Sequence, residues 1–243
     1  MIDLQRYNDN DSGCQSSAAR QTRGSGQVTT KLVQQHFRCP TCLSDFDSNV
    51  VEAVSHQGQD SDFYPHYIGD DPLEHFLVQC PNCRFCAYPD DFGQSVDVET
   101  ISQSRICEIL EQPLAKKLPK VAKMYYLAGK LYEFQKKNPY HIGNLYLRGS
   151  WVCRKSDNRK AEIEMQQLAV KFLRVSVERS TVANPDNLPV VTYLVGELYR
   201  RLEDKSQARE WLNSVEEVLI DQDQQWILEL AKKQAELNEH FIN

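Results

Sequence analysis

Two short stretches constrain this chain more than any other feature: RCPTCLSDF at 38–46 and QCPNCRFCAY at 79–88. Each carries a C-x-x-C pair, which places both sulfurs on one side of a tight turn. Two such turns at the tips of hairpins converge on a tetrahedral four-thiolate site with bonds of about 2.3 Å. Each first cysteine is followed by proline, which pre-sets the turn and leaves amides free to face sulfur. Cys39 and Cys42 form the first knuckle, Cys80 and Cys83 the second, and 37 residues separate the pairs. That connection is longer than a minimal zinc ribbon needs, so it must carry strands of its own.

A fifth thiol, Cys86, offers an alternative C-x-x-C with Cys83 that would leave Cys80 spare. The repeated proline, CPTC against CPNC, favours Cys80 and Cys83 as ligands and places Cys86 in the small core beside the site. Four cysteines close the coordination sphere and leave no position for substrate or activated water, so the expected Zn2+ is structural. Residues 39–92 are too few to depend on their own core, whereas a structural zinc contributes roughly 10–16 kcal/mol of apparent binding free energy to folding.

The chain has eight cysteines. Its start, MIDLQRYNDNDSG, has neither a basic n-region nor an apolar core, so reduced thiols and a cytoplasmic location are expected. No run of eighteen apolar residues exists, so membrane insertion is not expected. Cys14 lies in a polar tail, while Cys107 and Cys153 fall at apolar positions of expected helices, where a small buried hydrophobe is the ordinary reading.

The organisation is read as α+β, in three parts. Residues 1–30, rich in Ser, Gln, Asn, Asp and Gly, are expected to be a disordered tail. Residues 31–98 form a small zinc-ribbon-like β module, with strands expected at VVEAV (50–54) and HFLVQ (75–79). Residues 99–243 form an all-α antiparallel array, with helices near 99–112, 119–137, 140–154, 158–182, 188–202, 205–220 and 223–240. Within the array, Gly149 is followed by Ala161, Met165 and Leu168, and Gly196 by Ala208, Leu212 and Val215. Both glycine-to-alanine separations are twelve residues, and the two units start 47 residues apart. This pattern is tetratricopeptide-like, with small residues letting paired helices approach closely.

The stretches CPTCLSDFDSNVVEAV, DSDFYPHYIGDDPLEHFLVQCPNC and CAYPDDF together resemble a bacterial family, domain of unknown function 2225. Its pattern has two CPxC knuckles flanking an Asp-Ser/Thr-Asp-Phe stretch and a Pro-Leu turn, followed by helices. The resemblance covers about residues 36–220 and places the family's paired cysteines on Cys39, Cys42, Cys80 and Cys83. The family continues its second knuckle as CGYA, where this chain reads CRFCAY, so Arg84 replaces a glycine and Cys86 an alanine. The resemblance implies a fold and a ligand set, and no activity.

Charge narrows the function. Residues 39–100 hold one basic group, Arg84, against twelve acidic ones. Phosphate backbones are bound by clustered Lys and Arg, so nucleic acid is not the expected partner, although a nucleic-acid-associated zinc-ribbon regulator remains an alternative. A second alternative is a metal-dependent enzyme built on Asp60, Asp62 and His66 in DSDFYPHY. Against it stands a simple turn, with the two aspartates capping amides and Phe63, Tyr64 and Tyr67 packed on the ribbon. Nucleophile–base pairs, a phosphate loop and an HExxH helix are absent from the sequence.

The reading is therefore a non-enzymatic adaptor whose helical array captures another protein or a peptide in a concave groove. Candidate groove residues are Tyr125, Tyr146 and Tyr193, with Tyr132 and Tyr199 better suited to packing between helices. The acidic module is a second candidate contact surface, suited to a basic partner.

Overall fold

The computed structural model describes residues 29–94, 101–219 and 222–240. Cys14, all but the last two residues of the expected tail, and the expected boundary at residue 98 lie outside the described residues. Three two-stranded antiparallel pairs come first: β1 (Lys31–Arg38) with β2 (Asp45–Ala53), β3 (His56–Gln59) with β4 (Pro65–Tyr67), and β5 (Val78–Gln79) with β6 (Cys86–Ala87). Both knuckles are hairpin tips. The first joins β1 to β2 where Arg38 pairs with Asp45, and the second joins β5 to β6 where Gln79 pairs with Cys86. The strand expected over HFLVQ shrinks to Val78–Gln79. The reason is local: Asp71 accepts from the Leu73 amide and Pro72 opens a 3-10 turn that runs to His75.

Eight α-helices follow among the described residues: α1 (Gln103–Glu111), α2 (Pro113–Lys117), α3 (Lys120–Phe134), α4 (Pro139–Lys155), α5 (Arg159–Glu178), α6 (Leu188–Arg201), α7 (Lys205–Ser214) and α8 (Gln225–His240). The short α2 was not anticipated; Pro113 interrupts the chain after α1 and starts a new turn. The other helices lie close to the expected spans, except that α7 ends at Ser214 and gives way to a 3-10 turn over Val215–Val218 where the expected helix runs to 220. Asn138, Asn158 and Asp204 each accept a backbone amide at a helix start. Asp157 and Glu203 take left-handed backbone conformations just before two of those caps, at φ 52° and 64°. These tight reversals set α4 against α5 and α6 against α7.

The repeated glycines lie at those contacts. A Cβ on Gly196 would fall 2.8 Å from Leu212 Cγ, and one on Gly149 would strike Met165 Cε, so both glycines face the residue sixteen positions on. The expected equivalence of the two helical pairs therefore holds at the packing level. Strands and helices share one continuous core, which runs from Phe37, Phe85 and Phe92 through Leu127, Tyr146 and Leu198 to Ala231.

Two expectations need correction. Tyr125, Tyr146 and Tyr193 are fully buried, so they are not exposed groove residues. Their hydroxyls donate to the Leu73 carbonyl, to Glu133 and to the Ser61 carbonyl, respectively, which satisfies the polar end of each buried ring. Tyr132 is also buried, and Tyr199 packs partly buried against the core. Cys107 is exposed, because α1 turns Ile106 and Ile109 inward instead; Cys153 is buried as expected.

Candidate metal centre

The two knuckles are built alike. In the first, the Cys39 amide donates to the Ser44 carbonyl at 2.9 Å and the Leu43 amide to the Cys39 carbonyl at 2.9 Å. In the second, the Cys80 amide donates to the Phe85 carbonyl at 2.8 Å and the Arg84 amide to the Cys80 carbonyl at 3.0 Å. Leu43 and Arg84 occupy the same place in each turn, and both are left-handed, at φ 60° and 66°. That backbone is one glycine adopts without strain, so the side chains of Leu43 and Arg84 carry a conformational cost there.

Cys39, Cys42, Cys80 and Cys83 bring their sulfurs within 4.8 Å of one another. Cys39 and Cys83 are 3.5 Å apart, and Cys42 and Cys80 are 3.6 Å apart. Tetrahedral ligation with bonds of about 2.3 Å requires sulfur–sulfur separations of about 3.8 Å, so the four thiols fit a single metal ion. Cys39, Cys80 and Cys83 are buried, and Cys42 stands at the rim. Phe37, Phe46, Phe85 and Phe92, which flank the knuckles in sequence, pack ring against ring with centroids 5.3–5.9 Å apart.

Burial pushes the Cys39 and Cys83 thiols above the ordinary thiol range. At Cys42 burial also pushes upward, but hydrogen bonds from Ser44 and Asn82 outweigh it and draw the thiol down to about 6. The Ser44 hydroxyl lies 3.3 Å from Cys42 Sγ, and Asn82 donates to both Cys42 Sγ and Ser44 Oγ, tying the rim of one knuckle to the other. Cys86 is fully buried, stands outside the four-sulfur group and pairs in β6 opposite Gln79.

Asp60, Asp62 and His66 do not form a second metal group. Asp62 has no exposed surface and accepts from Trp151 Nε1 at 3.2 Å and from Arg154, with Arg201 3.4 Å away. Asp60 pairs with Arg154 at 2.9 Å and with His66 Nε2 at 2.7 Å. The carboxylates are thus bound by helix arginines and do not cap amides. Burial alone would lower the Arg154 pKa, but the hydrogen bond and charge of Asp62, then of Glu162, raise it well above the ordinary range. Two of the three aromatic residues turn to the helices: Phe63 packs on Tyr193 and Trp226, and Tyr64 on Trp151, while Tyr67 packs on Phe76.

The sequence reading missed Arg154, Arg201 and Trp151. A signal was present, since Arg154 and Arg201 are 47 residues apart, the same interval as Gly149 and Gly196. The repeat therefore supplies two equivalent guanidiniums to one carboxylate.

Among the described residues, no helix is long and apolar enough to cross a membrane. Neither the curated proteins nor the solved structures contain a match to the chain. A family model described as an uncharacterized protein conserved in bacteria (DUF2225) matches residues 32–238, from the first strand through the last helix, and the chain belongs to that family.

Proposed function

We propose that this protein is a non-enzymatic adaptor in which a structural zinc braces an acidic module against a helical array that captures a partner protein or peptide. The observation that carries the reading is the closed thiolate set: four cysteine sulfurs surround one point and leave no fourth position open to substrate. Bound there, zinc would supply folding free energy, and the chain's own residues would do the rest. The paired thiolates fix the two hairpins; the hairpins hold Phe85 and Phe92 in the core; that core continues into the helices. Zinc is favoured over other ions because an all-thiolate tetrahedral set suits a borderline-soft ion without geometric preference. Retention of reduced thiols would place the protein in the cytoplasm.

The alternatives receive less support. A phosphate-binding ribbon would need cations where this module is acidic. A hydrolase built on Asp60 and Asp62 would need free carboxylates, and both are held by Arg154.

The test uses the full chain. Metal analysis should return one zinc per chain. Photocrosslinking residues are placed at exposed helix positions, such as Lys232 and Glu236, and on the ribbon at Val33 and Gln35. One partner crosslinked from the helices is the expected result. Crosslinks from the ribbon alone, or from neither surface, would overturn the assignment of capture to the array.

A further inference from the structure

The segment between β3 and β4 is held like a bound peptide. Asp60–Phe63 reverses in a tight turn, with Phe63 at φ 64° and its amide donating to the Asp60 carbonyl at 2.9 Å. The turn enters the space between α4, α6 and α8, and each of its residues has its own receiver. Asp60 takes Arg154; Ser61 donates to Glu197 at 2.6 Å and accepts from Arg201 at 2.9 Å; Asp62 takes Trp151, Arg154 and Arg201. Phe63, only 3 % exposed, fills the apolar end against Tyr193 and Trp226. The main chain is read as well, because the Tyr193 hydroxyl donates to the Ser61 carbonyl.

Two features distinguish this contact from generic packing. The principal cations, Arg154 and Arg201, are repeat equivalents on α4 and α6, so the carboxylate sits where the array's periodicity brings like positions together. The receivers are also pre-set within the array: Glu162 of the neighbouring α5 holds Arg154 Nε at 2.8 Å, and Glu197, one turn back on α6, holds Arg201 Nε at 2.8 Å. Each guanidinium thereby keeps its remaining N–H groups directed at the loop. Fixed, paired arginines of this kind suit bidentate recognition of carboxylates.

We propose that the face formed by α4, α6 and α8 is a recognition site for acidic–aromatic segments of the form Asp-x-Asp-aromatic, that the chain's own Asp60–Phe63 occupies it in cis, and that a partner protein carrying such a segment competes for it. This deepens the adaptor reading and rests on it. The cis loop is tethered at both ends by β3 and β4, so it acts at an effective concentration in the millimolar range. A free segment therefore meets a closed face in the wild-type chain and an open one when the loop is weakened.

The probe is a fluorescent peptide with the sequence of residues 58–66, GQDSDFYPH, titrated into the full-length zinc-loaded chain. The expected result is binding at least tenfold tighter to a variant carrying Asp62→Asn and Phe63→Ser in its own loop than to wild type, and loss of binding when the peptide carries Asp62→Asn. Because that variant places two altered side chains in a packed site, a second measurement uses wild type alone. Excess peptide should accelerate amide hydrogen exchange at residues 60–64 and leave α4 and α6 protected. No peptide binding to a variant that retains helical circular dichroism and zinc, or no change in loop exchange in wild type at millimolar peptide, would overturn the proposal. Crosslinking from the helices to a partner alongside either negative result would overturn the cis-occupancy proposal and spare the adaptor reading; absence of crosslinks would overturn the adaptor reading itself.

Discussion

Asp62 and Arg154 are 92 residues apart in sequence and meet as a buried ion pair, with a second contact at 3.2 Å between Arg154 Nη1 and Asp62 Oδ1. The pair joins the strand-rich part of the chain to the helices, and Trp151 and Arg201 complete the shell around the carboxylate. A buried pair contributes little over a well-packed apolar substitute, yet removing one partner leaves an uncompensated charge, which costs about 3–5 kcal/mol. Because Asp60 and Glu162 still partner Arg154, Asp62→Asn, which keeps the side-chain shape, should lower the unfolding free energy in urea by about 1–3 kcal/mol, less than for an isolated buried pair. Adding Arg154→Met should deepen the loss, since Asp60 and the buried Glu162 rely on the same guanidinium. A loss below about 1 kcal/mol would mean that water reaches the pair and screens it.

The second prediction decides the fifth thiol. Cys39→Ser should abolish stoichiometric zinc and make the β1–β2 hairpin the first site of proteolysis, because that ribbon buries little besides Phe37 and Val50. Cys86→Ser should retain one zinc per chain, since Cys86 stands outside the four-sulfur group. It should instead cost about 1–3 kcal/mol for placing a hydroxyl in a fully buried apolar position. Zinc loss from the Cys86 variant with retention in a Cys80 variant would invert the assignment.

These outcomes separate what the sequence could show from what it could not. The knuckles were legible because a C-P-x-C turn is local grammar: its hydrogen bonds close within six residues, from Cys39 to Ser44 and from Cys80 to Phe85. Helix limits were legible for the same reason, through caps such as Asn158 and Asp204. The Asp62–Arg154 pair was not: the 47-residue interval marks Arg154 and Arg201 as equivalent positions, but nothing in it points to Asp62. The tyrosines failed differently. Helical spacing assigns Tyr125, Tyr146 and Tyr193 to a face but cannot say whether that face meets solvent or another element; here segments of the strand-rich part receive Tyr125 and Tyr193, and α3 and α5 enclose Tyr146.

The repeat makes a third prediction, about rank order. Alanine at Gly196 would meet Leu212 Cγ at 2.8 Å and the Leu212 backbone nitrogen at 3.0 Å, and the backbone cannot step aside cheaply. Alanine at Gly149 would meet the terminal methyl of Met165, which can swing away, and Tyr125 Cβ at 3.1 Å. Glycine to alanine within a helix gains about 1 kcal/mol from propensity, against an overpacking cost of about 1–3 kcal/mol. Thermal denaturation should show Gly196→Ala clearly destabilised and Gly149→Ala close to wild type. Equal effects would mean that the α6–α7 contact relaxes as readily as the α4–α5 contact.

The last prediction concerns acid. A metal-bound sulfur must be deprotonated, so protons compete with zinc and affinity falls as pH falls. Cys42 resists that competition better than Cys39 or Cys83, because Ser44 and Asn82 outweigh burial and hold its thiol at about 6, while burial pushes Cys39 and Cys83 upward. Asn82→Ala removes the donor to Cys42 Sγ and the hydrogen bond that orients the Ser44 hydroxyl. The Cys42 thiol should then rise, and a proton should displace zinc at higher pH than in wild type. One hydrogen bond of about 0.5–1.5 kcal/mol corresponds to about 0.4–1.1 pH units at a single group. Spread over four ligands, the release midpoint followed with a chromogenic chelator should move upward by about 0.1–0.3 unit. A downward shift would mean that Asn82 favours the protonated thiol, reversing the assigned role of the amide at the rim of the site.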